Sequence, residues 1–84
     1  MEKSLFTRDY DGLRKLLRKK RQAAGLTQVE VARWLDETQS YVSKCERGER
    51  RLDLVQLRQF CRAIGISLTE FVKEFERLTA RSPR

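Results

Sequence analysis

Apolar residues recur at helical spacing in five separate stretches of this chain. In one of them, Leu57, Phe60, Cys61 and Ile64 follow the i, i+3, i+4, i+7 pattern that places side chains on one face of a helix. No stretch alternates apolar and polar residues as a half-buried strand does, so the pattern predicts an all-α fold. The five predicted helices are about Tyr10–Ala24, Gln28–Leu35, Gln39–Arg47, Leu54–Ile64 and a last one from after Ser67 to Thr79.

Residues suited to helix ends lie between these stretches. Thr27 followed by Glu30 matches the capping box, in which two side chains satisfy free backbone N–H groups of the first turn. Three glycines come just after predicted helices, where a left-handed residue often ends the helix: Gly25, Gly48 and Gly65. These signals predict an N-terminal extension (1–9), one helical domain (10–80) and a disordered tail (81–84).

The length and the apolar content limit the class of protein. A chain of 84 residues, 39% of them apolar, has material for one compact domain. It has no run of about 18 apolar residues that could cross a bilayer. Residues 1–6 also lack the apolar stretch of a secretory signal. We expect a cytoplasmic protein without a membrane partner.

The charge balance points to a polyanionic partner. Nineteen Lys and Arg residues against 12 Asp and Glu leave a formal net charge of +7. Thirteen of the basic residues are Arg, whose planar guanidinium can donate two parallel hydrogen bonds to phosphate or guanine. The alternative is that the charge only keeps the protein soluble.

Residues for catalysis or metal binding are scarce. The chain has no histidine, the side chain that most often serves as general base and metal ligand. Cys45 and Cys61 fall on the apolar faces of predicted helices, so we interpret them as reduced core residues. Ser43 and Lys44 are helix neighbours that point in different directions. We therefore expect no enzyme activity, no cofactor and no metal site.

The second and third predicted helices are short and closely connected. Only Asp36, Glu37 and Thr38 separate them, and such a connection is typical of a helix-turn-helix. Around this turn, Gly25–Ala32, Thr38–Lys44, Glu46–Gly48 and Ala63–Ser67 resemble the Cro and phage-repressor (xenobiotic-response-element, XRE) family over roughly residues 10–75. The resemblance implies a compact, five-helix, lambda-repressor-like DNA-binding domain. Asp36 stands where the family usually has glycine, and aspartate tolerates a left-handed backbone at some cost.

The resemblance places the third helix in the major groove, with its first residues against base edges. The base contacts that it implies are Thr38, Gln39, Ser40 and Lys44. Their chemistry supports this independently, because a glutamine amide can bond N7 and N6 of adenine and a lysine can reach O6 and N7 of guanine. The alternative is that they are ordinary exposed residues of a surface helix.

Contacts to the DNA backbone are expected around the same helix. Gln28 begins the second helix, where free N–H groups attract a phosphate. The full predicted set of backbone contacts is Gln28, Tyr41, Ser43, Arg47, Arg50 and Arg51. Arg47 replaces a neutral residue common in the family, which should strengthen non-specific binding. Arg14 or Lys15 on the first helix is a further candidate.

The resemblance also implies a partly buried ion pair between Arg21 and Glu46, which would tie the first helix to the third.

Because one recognition helix contacts few base pairs, we expect a homodimer on half-sites about 34 Å apart. The predicted dimer interface is the stripe on the fifth helix formed by Phe71, Val72, Phe75 and Leu78. The alternative is that this stripe packs entirely on the first and fourth helices.

Two aromatic residues have open roles. Trp34 faces away from the apolar stripe of the second helix, and Leu5 and Phe6 are candidates to pack on it. Tyr41 lies near the proposed base contacts, where it could reach a phosphate or a thymine methyl group. For both residues, packing within the domain is the alternative.

The sequence therefore predicts a sequence-specific regulator of transcription that binds double-stranded DNA, expected to be a repressor at a palindromic operator. The resemblance also implies a bacterial or phage origin and association with the nucleoid. The alternative function is an antitoxin, or another protein-binding module of a toxin-antitoxin pair, that uses the same fold. A basic peptide at a membrane surface is disfavoured, because the apolar stripes are spread over several capped helices.

Overall fold

The computed structural model describes residues 7–80, and every regular element within them is an α-helix. The helices are α1 (Arg8–Ala23), α2 (Gln28–Leu35), α3 (Gln39–Arg47), α4 (Leu54–Ile64) and α5 (Leu68–Leu78). The predicted all-α class with five helices is confirmed. The bounds of α2, α3 and α4 are those predicted from the sequence.

The start of α1 differs from the prediction. The helix begins at Arg8 because Thr7 caps it: the Thr7 hydroxyl oxygen accepts a hydrogen bond from the Tyr10 N–H at 3.1 Å. Two aspartates in the first turn also complement the positive end of the helix. The N-terminal extension predicted for 1–9 is thus too long. The remainder of that extension (1–6) and the predicted tail (81–84) lie outside the described residues.

Side-chain caps define the other helix starts. Thr27 and Glu30 form the complete capping box that the sequence predicted, with the Thr27 N–H donating to the Glu30 carboxylate at 2.8 Å. Asp53 and Gln56 form a second capping box at α4. Gly48 and Gly65 end α3 and α4 with φ of 84° and 92°, in the left-handed region that glycine enters at little cost.

Asp36 makes the turn between α2 and α3. Its φ of 60° is the only positive value at a non-glycine position among residues 7–80. The left-handed backbone lets the Glu37 N–H donate to the Ala32 carbonyl oxygen at 2.8 Å, which closes the end of α2. Aspartate thus performs the role that glycine usually has at this turn.

The core lies between the five helices: α2 packs on α3 and α4, and α1 packs on α3, α4 and α5. Its buried residues are Leu16, Leu17, Val31, Ala32, Val42, Cys45, Leu57, Phe60, Cys61, Ile64 and Phe71. Cys45 and Cys61 are free thiols inside it, as the sequence predicted. Burial raises the pKa of each thiol to about 11, because a thiolate is poorly solvated there.

Candidate nucleic-acid interface

A buried ion pair joins α1 to the end of α3. Arg21 Nε and Nη2 donate to the two carboxylate oxygens of Glu46 at 2.5 and 2.9 Å, and Nη1 donates to the Leu26 carbonyl at 2.8 Å. The two side chains are only 9% and 3% exposed. This bidentate geometry satisfies the guanidinium while it fixes the position of α3 relative to α1.

A chain of hydrogen bonds continues from this pair to the protein surface. Gln28 Nε2 donates to Glu46 Oε1 at 2.9 Å. Gln39 Nε2 in turn donates to Gln28 Oε1 at 2.7 Å. The amide of Gln39, at the exposed start of α3, is therefore held through Gln28 by a buried carboxylate. This bond uses one N–H group of the Gln39 amide and leaves its Oε1 and its second N–H group for other partners.

Four of the predicted contact residues form one patch on the outer face of α3. Gln39 lies next to Ser43, and Ser40 lies next to Lys44, because residues four apart in a helix are neighbours. Gln39, Ser40 and Lys44 are exposed and Ser43 is half-buried. Thr38 lies at the edge of this patch, where its hydroxyl oxygen accepts the Tyr41 N–H at 3.1 Å and caps α3.

Arg47 is held by two neighbours on the surface. Its Nε and Nη2 donate to the two carboxylate oxygens of Glu49 at 2.9 and 3.1 Å, and its Nη1 donates to the Ser43 hydroxyl. The hydrogen bonds raise the pKa of Arg47 and lower that of Glu49. A phosphate would have to compete with Glu49 for this guanidinium. The expected gain in non-specific binding from Arg47 stays a prediction.

Two arginines that follow α3 lie over tyrosine rings. The guanidinium carbon of Arg50 is 5.0 Å from the ring centroid of Tyr41, and that of Arg51 is 4.2 Å from the ring centroid of Tyr10. Both arginines are exposed. Cation–π contacts at these distances are attractive and restrict where the charge lies. The pair thus presents positive charge just after the C-terminal end of α3.

Tyr41 packs within the domain. Its ring is stacked on Phe60, with 6.1 Å between the centroids, and it is half-buried. Burial is the main reason that the pKa of Tyr41 rises to about 12. The structure thus shows the packing that the sequence left open, and a DNA contact by Tyr41 stays a prediction.

Arg14, considered above as a contact to the DNA backbone, has another partner. Its Nη1 donates to the Glu46 carbonyl oxygen at 3.1 Å, and its Nε donates to Asp11 at 2.9 Å. The side chain therefore satisfies a carbonyl at the C-terminal end of α3. Lys15 is exposed and keeps the expected role as a prediction.

Only part of the predicted dimer stripe is on the surface. Phe71 is 1% exposed and belongs to the core, which removes it from the candidate interface. Phe75 is half-buried against the same core. Val72 and Leu78 are 37% and 58% exposed. The stripe is divided because Phe71 faces the core, whereas Leu78, on the same face seven residues later, lies at the end of the helix, and Val72 lies at the edge of that face.

Trp34 is exposed, and its predicted partners lie elsewhere. The side chain is 55% exposed on α2, in line with the predicted outward orientation. Leu5 and Phe6, the candidate packing partners, lie outside the described residues. The contacts of Tyr10 with Leu52 and Arg51 were not predicted from the sequence. These partners are more than forty positions away, so the contacts have no local sequence signal.

Other kinds of site were also sought among residues 7–80. No group of three or more His, Cys, Asp or Glu residues in that range is arranged to hold a metal ion. Over the same residues, the helices are too short or too polar for any of them to cross a membrane. The candidate site among these residues is therefore the outer face of α3, where the polar contacts described above lie.

Comparison with known proteins identifies the class. The helix-turn-helix family profile matches residues 17–71, the part of the chain that contains α2, α3 and α4. The control protein C.MunI from Mycoplasma sp is 30% identical over 63 residues, which cover 75% of this chain and 85% of that protein. The chain belongs to the helix-turn-helix family of the XRE, or Cro/C1, type.

Solved structures agree with this assignment. An XRE-family like protein from Pseudomonas syringae pv. tomato str. DC3000 superposes with a TM-score of 0.80 at 44% identity, covering 84% of this chain and 87% of that one. The clp gene regulator ClgR from C. glutamicum gives a TM-score of 0.76 at 27% identity, with 96% and 100% covered. A point mutant of the restriction-modification controller protein C.Esp1396I shares the fold, with a TM-score of 0.76 at 23% identity and 96% and 100% covered. This protein is a DNA-binding transcriptional regulator.

Proposed function

We propose that the protein represses transcription by binding a palindromic operator as a homodimer, with α3 of each subunit in the major groove. The observation that carries the proposal is the chain of hydrogen bonds that ends at Gln39. A base-reading amide needs a defined orientation, and this one is held through Gln28 by a buried carboxylate. Preorganisation of this kind lowers the entropy lost on binding.

In this proposal the outer face of α3 reads the bases. Gln39 Oε1 and its second N–H group contact adenine, Lys44 contacts guanine, and Thr38 and Ser40 lie beside them. The backbone contacts surround this face: Gln28, Tyr41, Ser43, Arg47, Arg50 and Arg51. They fix the position of α3 on the duplex but carry no sequence information themselves.

The proposed dimer uses the exposed part of the stripe on α5. Val72 and Leu78 are apolar and exposed there, and the half-buried Phe75 lies between them along the helix. A two-fold arrangement would place two recognition helices about 34 Å apart on one side of the duplex. Val72→Asp should shift sedimentation toward the monomer and weaken operator binding, whereas Val55→Asp, at an exposed valine on α4, should do neither.

Selection of bound sequences from a random DNA pool tests the proposal as a whole. We expect a palindromic consensus whose half-sites are separated by about one helical turn. Transcription from a promoter that carries this consensus should fall when the protein is expressed. Recovery of no consensus would overturn the proposal, and a single stoichiometric protein partner in its place would favour the antitoxin interpretation.

Gln39→Ala tests the reading residue directly. Because a good bidentate contact discriminates by about 1–3 kcal/mol, affinity for the selected operator should fall roughly 5- to 150-fold. Affinity for random DNA should stay nearly unchanged, since base contacts specify and phosphate contacts position. Gln22→Ala, at an exposed glutamine on α1, is the matched control and should change neither. Equal losses on both DNAs would contradict the assignment of Gln39.

A further inference from the structure

Two arginines of α1 hold the same residue of α3. Arg21 donates two hydrogen bonds to the carboxylate of Glu46, at 2.5 and 2.9 Å. Arg14 Nη1 donates to the backbone carbonyl oxygen of Glu46 at 3.1 Å. The two arginines are seven residues apart, which is about two helical turns, so they lie on one side of α1. Residue 46 is thus fixed at its side chain by one arginine and at its backbone by the other.

The carbonyl that Arg14 holds lies in the last turn of α3. Carbonyl groups of a last turn have no N–H partner within their own helix. The two preceding carbonyl oxygens accept bonds from backbone N–H groups of the turn that follows α3. The Glu46 carbonyl accepts its bond from Arg14, whose positive charge also suits the negative end of a helix. A side chain of α1 therefore attaches the end of α3.

Asp11 orients Arg14 for this contact. Arg14 Nε donates to Asp11 Oδ1 at 2.9 Å, and the two side chains are 22% and 35% exposed. A guanidinium presents its donors in a rigid fork, so two partners together define its orientation. The charge of Arg14 also has a carboxylate beside it before any DNA binds. These contacts favour a role in placing α3 over a contact with a phosphate.

The hydrogen bonds that orient Gln39 begin at residue 46. Glu46 Oε1 accepts a bond from Gln28, and Gln28 Oε1 accepts one from Gln39. Hydrogen bonds weaken steeply when their donors and acceptors are misaligned. A shift of residue 46 would therefore disturb both amides, although neither of them contacts Arg14.

We propose that Arg14 is a positioning residue for sequence recognition, which keeps Gln39 aligned with its base by fixing residue 46. The proposal rests on the function proposed above, and it gives α1 a part in the discrimination between operator and other DNA. Arg14 itself contacts no DNA in this proposal. Its loss should therefore lower discrimination without removing a phosphate contact.

The experiment compares Arg14→Met with the wild type on the selected operator and on random duplex DNA, at several salt concentrations. Methionine retains an unbranched apolar side chain but has no donors. The ratio of the two affinities should fall about 2- to 10-fold, the size of one hydrogen bond. The slope of log affinity against log salt on random DNA should stay that of the wild type. Arg18→Met removes the same charge at an exposed site one turn further along α1, and it should leave the ratio unchanged.

A double-mutant cycle with Gln28→Ala separates positioning from general structural support. Gln28→Ala cuts the link between Glu46 and Gln39. In that background Arg14→Met should have almost no further effect on the affinity ratio, because the path through which it acts is absent. If Arg14→Met does not fold, as judged by circular dichroism, Arg14→Lys takes its place in the cycle. Lysine keeps the charge but loses the fork, so the ratio should fall by less.

Three outcomes would overturn the proposal. Equal losses in the wild-type and Gln28→Ala backgrounds would show general structural support. Equal losses on operator and random DNA, with a salt slope flatter by about 0.9, would show that Arg14 contacts a phosphate. An unchanged affinity ratio in the variant that folds would show that Arg14 has no part in recognition.

These outcomes are distinct from a failure of the proposed function. They leave it standing as long as the wild-type protein selects an operator and Gln39→Ala lowers the affinity ratio. If no operator is selected, or Gln39→Ala has no effect on a selected one, the proposed function fails and the role of Arg14 fails with it.

Discussion

Glu46 and Arg47 are neighbours at the end of α3, yet their ion pairs lie on different sides of the helix. The Glu46 pair with Arg21 has side chains that are 9% and 3% exposed. The Arg47 pair with Glu49 has side chains that are 54% and 52% exposed. Both pairs are bidentate and of similar length. They differ in their access to water, and this difference makes the first pair part of the folded framework and leaves the second at the surface.

The inner pair belongs to the framework of the domain. A charge that has lost its water needs its partner permanently, so Arg21 and Glu46 act as a fixed joint between α1 and α3. The outer pair is screened by solvent, and such pairs contribute little to stability. In the proposed complex, a phosphate would displace Glu49 from this weak pair without disturbing the fold.

The largest expected effect comes from breaking the inner pair. Glu46→Gln would leave the Arg21 charge buried without a countercharge and should lower the free energy of unfolding by about 3–5 kcal/mol. It should also loosen Gln28 and Gln39, because Glu46 Oε1 accepts the bond from Gln28. Urea denaturation measures the first effect and operator affinity the second. Glu49→Gln is the control, and a similar loss of stability from both variants would contradict the comparison.

A smaller effect is expected at the turn that presents the outer face of α3. Asp36→Val should destabilise the domain by about 1–2 kcal/mol, because a branched side chain is strained in a left-handed backbone. Asp36→Gly removes that strain, so it should be tolerated far better. Thermal unfolding of the two variants gives the comparison. If valine and glycine behave alike, the left-handed turn does not form in solution.

The buried thiols of the core should make the free energy of unfolding depend on pH. Cys45 lies on the inner side of α3 and Cys61 on α4. Burial raises the pKa of each thiol from 9.0 to about 11. The unfolded chain therefore loses these protons at lower pH than the native protein does. Stability should be at full value below about pH 9 and should fall as the pH rises toward 11.

Thermal unfolding between pH 7 and pH 11, with reductant present, measures this fall. Cys61→Ala should flatten the dependence, although it lowers stability throughout by removing a buried sulfur. Tyr41, with a pKa of about 12 in place of 10.0, extends the fall above pH 10. Stability that stays constant from pH 8 to 11 would show that the thiols are not shielded from water.

The smallest expected effect concerns the outer pair. Glu49→Gln should strengthen binding to any DNA sequence a few-fold and leave stability unchanged, since it releases Arg47 and removes a negative charge near the phosphates. If Arg47 then makes one more phosphate contact, the slope of log affinity against log salt steepens by about 0.9. Glu70→Gln makes the same charge change at another exposed site on α5 and is the control. Equal gains from the two would mean that net charge alone is responsible.

Most of the fold could be predicted because its signals are local. Apolar spacing and caps are contained within single helices, so α2, α3 and α4 have the bounds expected from the sequence. The start of α1 was misplaced because the capping role of Thr7 was overlooked. The stripe on α5 was predicted as one surface, but helical spacing cannot show how deeply each turn packs, and Phe71 is in the core.

In the candidate site, too, residues in local motifs could be predicted and long-range contacts could not. The resemblance to the family led to the contacts of α3 and to the Arg21–Glu46 pair, because those residues stand in recognisable motifs. Arg14 and Tyr10 could not be placed, since their partners are 32 and 42 residues away. Such contacts depend on how α1 packs on α3 and on the segment that follows it.

The sequence by itself determined the class of fold, the turn at Asp36 and the outer face of α3, because spacing, capping and backbone preference act over a few residues. Only the tertiary structure decided which charges are used for folding and which are offered to a ligand. Glu46 and Arg47 are adjacent in the chain, and both are charged. Burial against α1 makes the first a structural residue, and exposure gives the second only a solvent-screened partner that the proposed DNA contact can replace.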